Sequence, residues 1–228
     1  MHYLEFLARL HSRLKPRTYL EIGVEAGYSL ACSRCPSLGI DPDFEVVAAL
    51  VAPTRLVRRT SDDYFAALAD AGAGPFGPRP VDLAYIDGMH LLEYALRDFI
   101  NIERYTGPAG VIGFDDMLPR TVDEASRELV AYPWTGDVFH IPDLLRRWRP
   151  ELNQVMVDTE PTGTLLVTGL DRRNTVLAEN LDEIVRETVA ADPQPVPTRV
   201  LNREGAIDPA EALALPIWDE LASRRRIS

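Results

Sequence analysis

The sequence predicts a doubly wound α/β fold, with a mainly parallel sheet and one antiparallel strand. Runs rich in β-branched and aromatic residues alternate with helix-like segments between residues 18 and 149. The last two strand-like runs, 153–160 and 162–170, are joined by a connection too short for a crossover, so they have to pair antiparallel. Glycines follow the first strand-like run, where a sheet of this type commonly binds a ligand.

The elements can be assigned in order along the chain. Apolar residues recur at helical spacing from Tyr3 to Leu14, which predicts an amphipathic helix that ends near Pro16. Five strand-like runs follow, at 18–23, 37–43, 54–60, 81–87 and 110–116. Helices are predicted between and after them, at 28–35, 44–52, 62–71, 91–105, 122–131 and 141–149. Together with the closing antiparallel pair, this pattern predicts a seven-stranded sheet.

The chain divides into a sheet domain at residues 1–170 and a helical extension at residues 171–228. The extension has a predicted helix at 175–190, a proline-rich linker at 191–197 and an amphipathic helix at 209–225. Three roles remain open for it: packing on the sheet, covering a site, or contacting a second subunit in a homo-oligomer.

Composition limits the classes of partner. The 228 residues carry a net charge of −11, so nucleic acid is not an expected partner. No apolar run is long enough to cross a bilayer, and the first residues have no apolar core of a signal peptide, so we expect a cytoplasmic protein without a membrane contact. Cys32 and Cys35 are too few ligands for a zinc site, and we expect them to be small apolar residues at a helix end.

Two consecutive predicted strands end in acidic residues. Asp87 follows one strand with His90 three residues later, and Asp115 and Asp116 follow the next strand. Because the carboxyl ends of neighbouring parallel strands meet in one crevice, these four side chains are expected to face the same volume. Crowded carboxylates resist ionisation unless a cation or hydrogen-bond donors compensate them. The pattern therefore predicts a metal ion, a cationic ligand, or both.

The turn after the first predicted strand has the features of a nucleoside site. Gly23 and Gly27 let a ligand approach the backbone, and Asp41 at the end of the next strand can accept hydrogen bonds from ribose hydroxyls. The spacing of the glycines differs from that of a dinucleotide-binding turn. Glu21 would repel a pyrophosphate and suits a cationic amino group better.

At this point the chain resembles a known family. The resemblance is based on four motifs: E-I-G-x-x-x-G-Y-S at 21–29, I-D-P at 40–42, D-x-x-x-I-D-G-x-H at 82–90 and G-x-x-x-F-D-D at 110–116. They look like the motifs of class I S-adenosylmethionine-dependent methyltransferases, which have a Rossmann-like sheet. More narrowly, they resemble the bacterial branch with the macrolide-sugar O-methyltransferases of the macrocin and mycinamicin type.

The resemblance implies roles for individual residues. In the cofactor site, Gly23 and Gly27 would lie behind the methionine moiety, and Glu21 would lie near its amino group. Asp41 would hold the ribose, and Ser61 and Asp62 would flank the adenine. In the acceptor site, Asp87, Asp115 and Asp116 would bind Mg²⁺. His90, three residues after Asp87, would act as the base.

Oxygen ligands at these positions suit magnesium, and a cation on the acceptor oxygen would lower its pKa. The alternative to a metal site is a purely structural role, with Asp87 in a turn and Asp116 as a helix cap. Glu93 and Asp98, on the helix after His90, are expected on its solvated face.

The sequence therefore predicts an S-adenosylmethionine-dependent O-methyltransferase that acts on a hydroxyl of a small, sugar-like acceptor with the help of Mg²⁺. Two alternatives stay open. One is a nicotinamide-dependent oxidoreductase, which would share the nucleoside-binding half of the fold. The other is a catalytically silent methyltransferase fold that serves as a binding module.

Overall fold

The computed structural model of the chain describes residues 1–227, with the backbone only for Arg226 and Ile227. Its centre is a seven-stranded sheet of order β3-β2-β1-β4-β5-β7-β6. Strands β1 to β5 are parallel, and β7 runs antiparallel to both β5 and β6. The predicted fold class is confirmed. The strands are β1 (Tyr19–Ile22), β2 (Ser37–Ile40), β3 (Thr54–Val57), β4 (Val81–Ile86), β5 (Thr106–Phe114), β6 (Asn153–Val157) and β7 (Thr164–Thr168).

Helices cover both faces of the sheet. The apolar sides of α2 to α7 pack on one face, and those of α1, α8 and α9 pack on the other. The helices are α1 (Tyr3–Leu14), α2 (Ser61–Asp70), α3 (Leu92–Glu103), α4 (Ile141–Trp148), α5 (Val176–Glu179), α6 (Leu181–Thr188), α7 (Thr198–Leu201), α8 (Pro209–Ala214) and α9 (Ile217–Ile227). None of the helices in residues 1–227 has the length and apolar character that spanning a membrane requires.

Three predicted helices are wrong, for identifiable reasons. Residues 28–35 contain only a single 3₁₀ turn, Leu30–Cys32. Residues 44–52 form no helix because their amide groups bond to the turn after β1, as when Val47 donates to the carbonyl of Ala26 at 3.1 Å. Residues 122–131 form none either, since the amide of Arg127 donates to the carboxylate of Asp192 in the C-terminal extension at 3.0 Å. In both cases tertiary hydrogen bonds replace those of a helix.

The C-terminal extension packs on the sheet. Trp218 of α9 is fully buried on the face covered by α1, and its ring nitrogen donates to the carbonyl of Ala212 at 2.6 Å. Ile207 forms a parallel bridge with Val157, next to the edge strand β6. Asp192 also accepts a hydrogen bond from Ser126 at 2.7 Å, which ties the extension to the loop after β5. The extension therefore packs on the sheet, and its other two roles stay open.

Strand register brings the carboxyl ends of the central strands into one row. Ile22 at the end of β1 pairs with Ile40 of β2 and with Ile86 of β4, and Ile86 pairs with Phe114 of β5. The residues that follow these strand ends therefore start from the same edge of the sheet. This edge is where the predicted site residues lie.

Candidate active site

One cavity of about 670 Å³ runs along the carboxyl edge of the sheet. It extends from the glycine turn after β1, past the ends of β2 and β3, to the acidic residues that follow β4 and β5. Tyr3 of α1 and Thr162 of the turn before β7 also line it. Of the predicted site residues, all except Glu21 lie on its wall. The cavity is large enough for a nucleoside-sized ligand together with a second small molecule.

The glycine turn is shaped by close backbone contacts. Gly23 has φ 85°, and a Cβ at this position would lie 1.8 Å from the carbonyl oxygen of Asp87. Only glycine can therefore hold the end of β1 against the end of β4. Asp41 secures the turn from the other side, because its Oδ2 accepts hydrogen bonds from the amides of Val24 at 2.7 Å and Glu25 at 3.0 Å.

Glu21 lies beneath this turn and has no exposed surface. It accepts hydrogen bonds from the hydroxyl of Tyr19 and, at 2.9 Å, from that of Ser29. Burial raises the pKa of Glu21 to about 8, although these two hydrogen bonds oppose the rise. Its carboxyl is thus separated from the cavity by the wall, and any effect on a bound amino group would pass through Ser29, which lines the cavity.

The far end of the cavity is formed by the start of α2 and by α3. Ser61 and Asp62 both line it, but Asp62 is paired with Arg97 at 2.9 Å. The expectation that Glu93 and Asp98 lie on a solvated face is wrong. Glu93 pairs with Arg127 at 2.7 Å, and Asp98 is only 2% exposed and faces the cavity.

The acidic residues and the histidine meet at the other end. His90 lies between two carboxylates, with Nε2 3.3 Å from Oδ1 of Asp87 and Nδ1 3.1 Å from Oδ2 of Asp116. One ligand atom from each of these three residues lies within 4.8 Å of the other two. Asp115 is not part of that group but lines the same cavity, buried beside Tyr85.

The charges in this cluster shift one another's pKa values. Burial alone would lower the pKa of His90, but the hydrogen bond to Asp87 and the charge of Asp116 outweigh it and raise the pKa to about 10. Burial raises the pKa of Asp116 to about 6 against the opposing charge of His90. Burial and the charge of Asp87 hold the pKa of Asp115 well above its usual range. Perturbations of this size concentrate at functional sites.

A loop before the 3₁₀ turn Val138–His140 fixes the position of His90. The carbonyl of Trp134 accepts a hydrogen bond from Nδ1 of His90 at 2.7 Å, and the two rings stack with centroids 5.3 Å apart. A Cβ at Gly136 would lie 1.7 Å from the carbonyl oxygen of His90, so glycine is required for this approach. His90 and Asp116 both have positive φ, 55° and 64°, a conformation that L-residues rarely adopt and that recurs at functional sites.

Two residues of this site, Tyr3 and Thr162, were not predicted from the sequence. Tyr3 reaches the cavity from α1, and burial together with the charges of the three acids raises the pKa of its hydroxyl. Thr162 donates to Asp116, and Trp134 orients His90. Tyr3 and Thr162 were missed because they are remote in sequence from the motifs. For Thr162 there was one indication, its position in the turn of the predicted closing hairpin, which could have placed it near this edge.

The donor set of the cluster fits a divalent cation. Asp87 and Asp116 offer carboxylate oxygens at a mutual spacing that one ion can bridge, while both ring nitrogens of His90 face acceptors within the protein. Neither lysine nor arginine lines the cavity within the described part of the chain. Among the described residues of the cavity wall, the imidazole of His90 is therefore the only cationic side chain, and it faces an excess of carboxylates.

Apolar side chains surround the mouth of the cavity. Tyr28 and Met89 are about half exposed, at 57% and 53%, and Tyr132 is 81% exposed. Leu129 completes this apolar rim, which we define as Tyr28, Met89, Leu129 and Tyr132. Large exposed apolar side chains grouped at a cavity mouth are typical of a ligand-binding site.

Residues 20–117 match the sequence model of a family described as "Methyltransferase domain". The fold is similar to that of cofactor-bound Rv0187 from MTB, at 20% identity and a TM-score of 0.52, over 73% of this chain and 79% of that chain. It is also similar to the O-methyltransferase from Bacillus cereus in complex with SAH, at 14% identity and a TM-score of 0.50, over 73% and 80%. These likenesses show a class I methyltransferase fold. No curated protein matches the sequence significantly.

Proposed function

We propose that this chain, which has a class I methyltransferase fold and a methyltransferase-domain match over residues 20–117, transfers a methyl group from S-adenosylmethionine to a hydroxyl of a small acceptor. One observation carries the proposal. A single cavity joins the glycine turn and Asp41 at one end to the cluster of Asp87, His90 and Asp116 at the other. A nucleoside cofactor and an acceptor would thus lie end to end, as an in-line displacement requires.

The residues of the chain have distinct tasks in this reaction. Gly23 and Gly27 allow the cofactor to approach the backbone, and Asp41 is set to hold its ribose. Because the pKa of His90 is raised to about 10, only its neutral form, the minor one at neutral pH, would accept the proton of the acceptor hydroxyl as the oxygen attacks the methyl carbon and the carbon–sulfur bond of the cofactor breaks. Asp87 and Asp116 flank the two ring nitrogens, so they orient the ring and stabilise it once it is protonated.

We further propose that a divalent cation, with Mg²⁺ as the first candidate, binds at Asp87 and Asp116, with Asp115 close by. When bound, such an ion lowers the pKa of a coordinated hydroxyl and orients it. The oxygen-rich donor set and the uncompensated carboxylates support this assignment.

The walls of the cavity indicate the kind of acceptor. With no cationic side chain except His90 on the described wall, a carboxylate or phosphate on the acceptor would have no arginine or lysine to bind it. The apolar rim can accommodate an apolar body, while the cluster requires a hydroxyl. We therefore propose a neutral or cationic acceptor that combines a hydroxylated, sugar-like part with an apolar part.

Calorimetric titration with S-adenosylhomocysteine is the direct test, with NADH as the comparison. We expect the homocysteine compound to bind and NADH not to bind. The opposite result would favour the oxidoreductase alternative and would overturn the proposal. An Asp41→Ala variant is expected to bind at least tenfold more weakly, because a charged hydrogen-bond acceptor is worth about 1.5–3 kcal/mol.

A second measurement separates the enzyme from a silent binding module. Mass spectrometry of neutral glycosides incubated with S-adenosylmethionine should detect methylated product, and a thermal-shift titration with MgCl₂ should raise the melting temperature of the wild-type protein but not of an Asp116→Asn variant. Cofactor binding without methylation of any acceptor would favour the module.

A further inference from the structure

The loop between β5 and the 3₁₀ turn Val138–His140 forms one wall of the cavity at its acidic end. Leu129, Tyr132 and Trp134 line the cavity from this loop. Residues 115–137 contain neither helix nor strand, so no regular backbone ladder fixes the position of this wall. Its backbone groups therefore need partners elsewhere in the protein.

Asp192 of the C-terminal extension is such a partner. Its carboxylate accepts hydrogen bonds from the hydroxyl of Ser126 at 2.7 Å and from the amides of Arg127 at 3.0 Å and Glu128 at 3.3 Å. Gln194, which is 3% exposed, donates to the same carboxylate at 2.8 Å and so orients it. Against the opposing effect of burial, these hydrogen bonds lower the pKa of Asp192 to about 2. One ionised side chain thus holds three consecutive residues of the loop.

The segment that Asp192 holds is connected to the imidazole of the acidic end. The carbonyl of Ser126 accepts a hydrogen bond from the ring nitrogen of Trp134 at 2.6 Å. The carbonyl of Trp134 accepts in turn from Nδ1 of His90 at 2.7 Å, and the two rings stack. A continuous series of short hydrogen bonds therefore runs from the extension to His90.

We propose that Asp192 is a positioning residue, which holds Trp134 against His90 through Ser126. The inference rests on the proposed function, in which His90 takes the proton of the acceptor hydroxyl, and it gives the extension a task beyond packing on the sheet. A base that is displaced by a fraction of an ångström loses much of its effect on the rate. The extension would thus set the turnover of a site that it does not line.

A second tether keeps the loop attached when Asp192 is replaced. The guanidinium of Arg127 pairs with Glu93 at 2.7 Å and also with Asp137, which is fully buried. This tether holds a side chain of the loop to α3, whereas Asp192 holds the backbone from which the carbonyl of Ser126 projects. Loss of the carboxylate should therefore shift the loop locally and leave the protein folded.

NMR of the full-length protein tests the positioning directly. The rings of His90 and Trp134 have centroids 5.3 Å apart, so the wild type should give a nuclear Overhauser contact between their protons, assigned with Trp134→Phe. We expect this contact to be lost in Asp192→Ala. The indole N–H of Trp134 should exchange with water about tenfold faster, the effect of weakening local structure by one hydrogen bond. The indole signals of Trp148 and Trp218 should not change.

Kinetics measures the consequence for the reaction. With a neutral glycoside that the wild type methylates, Asp192→Ala should lower kcat about tenfold and change KM less than about twofold, because the base is displaced while the binding walls remain. Calorimetry with S-adenosylhomocysteine should give the stoichiometry and affinity of the wild type, which a partly unfolded protein would not. Asp192→Asn keeps one acceptor oxygen and should lose less of kcat. Asp182→Asn, an exposed acid of α6 in the same extension, is the control and should match the wild type throughout.

The outcomes separate this inference from the proposed function. An unchanged ring contact in Asp192→Ala overturns the positioning role, and so does a lost contact with unchanged kcat. If Asp192→Ala does not fold, Asp192→Asn decides alone, and a contact and a kcat equal to those of the wild type overturn the proposal. If the wild type binds no S-adenosylhomocysteine and methylates no glycoside, the proposed function fails, and the ring contact still decides whether Asp192 holds Trp134 against His90.

Discussion

Strand β5 has a buried ionic cluster at each end, and the two clusters differ in charge balance. Before its first residue, Glu103 forms two hydrogen bonds with the guanidinium of Arg149, at 2.8 and 2.9 Å, and Arg149 also pairs with the half-exposed Glu151. After its last residue, Asp115 and Asp116 meet Asp87 with only His90 to compensate them. We call these the balanced cluster (Glu103 and Arg149) and the acidic cluster (Asp87, His90, Asp115 and Asp116).

The difference distinguishes a structural ion pair from a functional one. The balanced cluster joins the end of α3 to the end of α4, and it receives the amide of Asp171 at 3.0 Å, so its hydrogen bonds are made within the protein. The acidic cluster has more negative groups than the protein compensates. Under the proposed function a bound cation would compensate the acidic cluster, whereas the balanced cluster needs no ligand for its charge.

Removing a charge from the acidic cluster should cost activity and spare stability. For Asp87→Asn we expect kcat/KM to fall about 10²–10⁴-fold, because the protonated form of His90 loses a partner that stabilises it. The melting temperature should stay the same or rise, since repulsion among the carboxylates decreases. Steady-state kinetics with any acceptor that the wild type methylates, together with calorimetric melting, checks both parts. Asp70→Asn, an exposed acid at the end of α2, is the control, and a lower melting temperature for Asp87→Asn would contradict the contrast.

Removing a charge from the balanced cluster should have the converse effect. Glu103→Ala leaves the guanidinium of Arg149, itself 1% exposed, buried with only part of its hydrogen bonds. Loss of one partner of a buried pair costs about 3–5 kcal/mol of unfolding free energy. Urea denaturation measures this loss. The exposed pair of Glu5 and Arg9 provides the control, because Glu5→Ala should change the unfolding free energy by less than about 1 kcal/mol. Equal effects of the two substitutions would contradict the assignment of a structural role to Glu103.

Much of the acidic cluster could be predicted from the sequence, because strand ends are local signals. Two apolar runs that end in acids predict parallel strands with acids at one edge, and the register of β4 and β5 puts them there. The surroundings of the cluster could not be predicted in this way. Trp134 and Tyr3 reach it from a loop and from α1, through contacts that no local pattern encodes. Asp98 was expected on a solvated face, because its helix has polar residues on several sides and the sequence alone does not orient the helix.

Acids without a compensating charge should also make stability depend on pH. Asp98 ionises near pH 4 in the unfolded chain, but burial raises its pKa in the folded protein to about 7. As the pH rises between these values, the unfolded chain loses the proton first, so the folded state becomes less stable. Glu21 and Asp116 act in the same direction, and a comparison with a variant is therefore needed.

Asp98→Asn has no such titration. Between pH 5 and pH 8 its unfolding free energy should fall less than that of the wild type, by about 2–3 kcal/mol, because the difference is about 1.4 kcal/mol for each pH unit up to the folded pKa of about 7. Urea denaturation at both pH values gives the comparison. Glu103→Gln is not expected to flatten the profile. Parallel profiles for the wild type and Asp98→Asn would mean that Asp98 is charged, and compensated, in the folded protein.

The smallest expected effect lies outside both clusters, at the apolar rim. Tyr132 is 81% exposed, so its ring contributes little to the fold, and Tyr132→Ala should leave the melting temperature unchanged. If the rim binds the apolar part of the acceptor, the loss of the ring should raise KM a few-fold, equivalent to about 1 kcal/mol, and leave kcat unchanged. Val51→Ala is the matched control, because Val51 is 67% exposed and does not line the cavity. A change in kcat without a change in KM would contradict a role of Tyr132 in acceptor binding. It would mean that Tyr132 takes part in the reaction together with the acidic cluster.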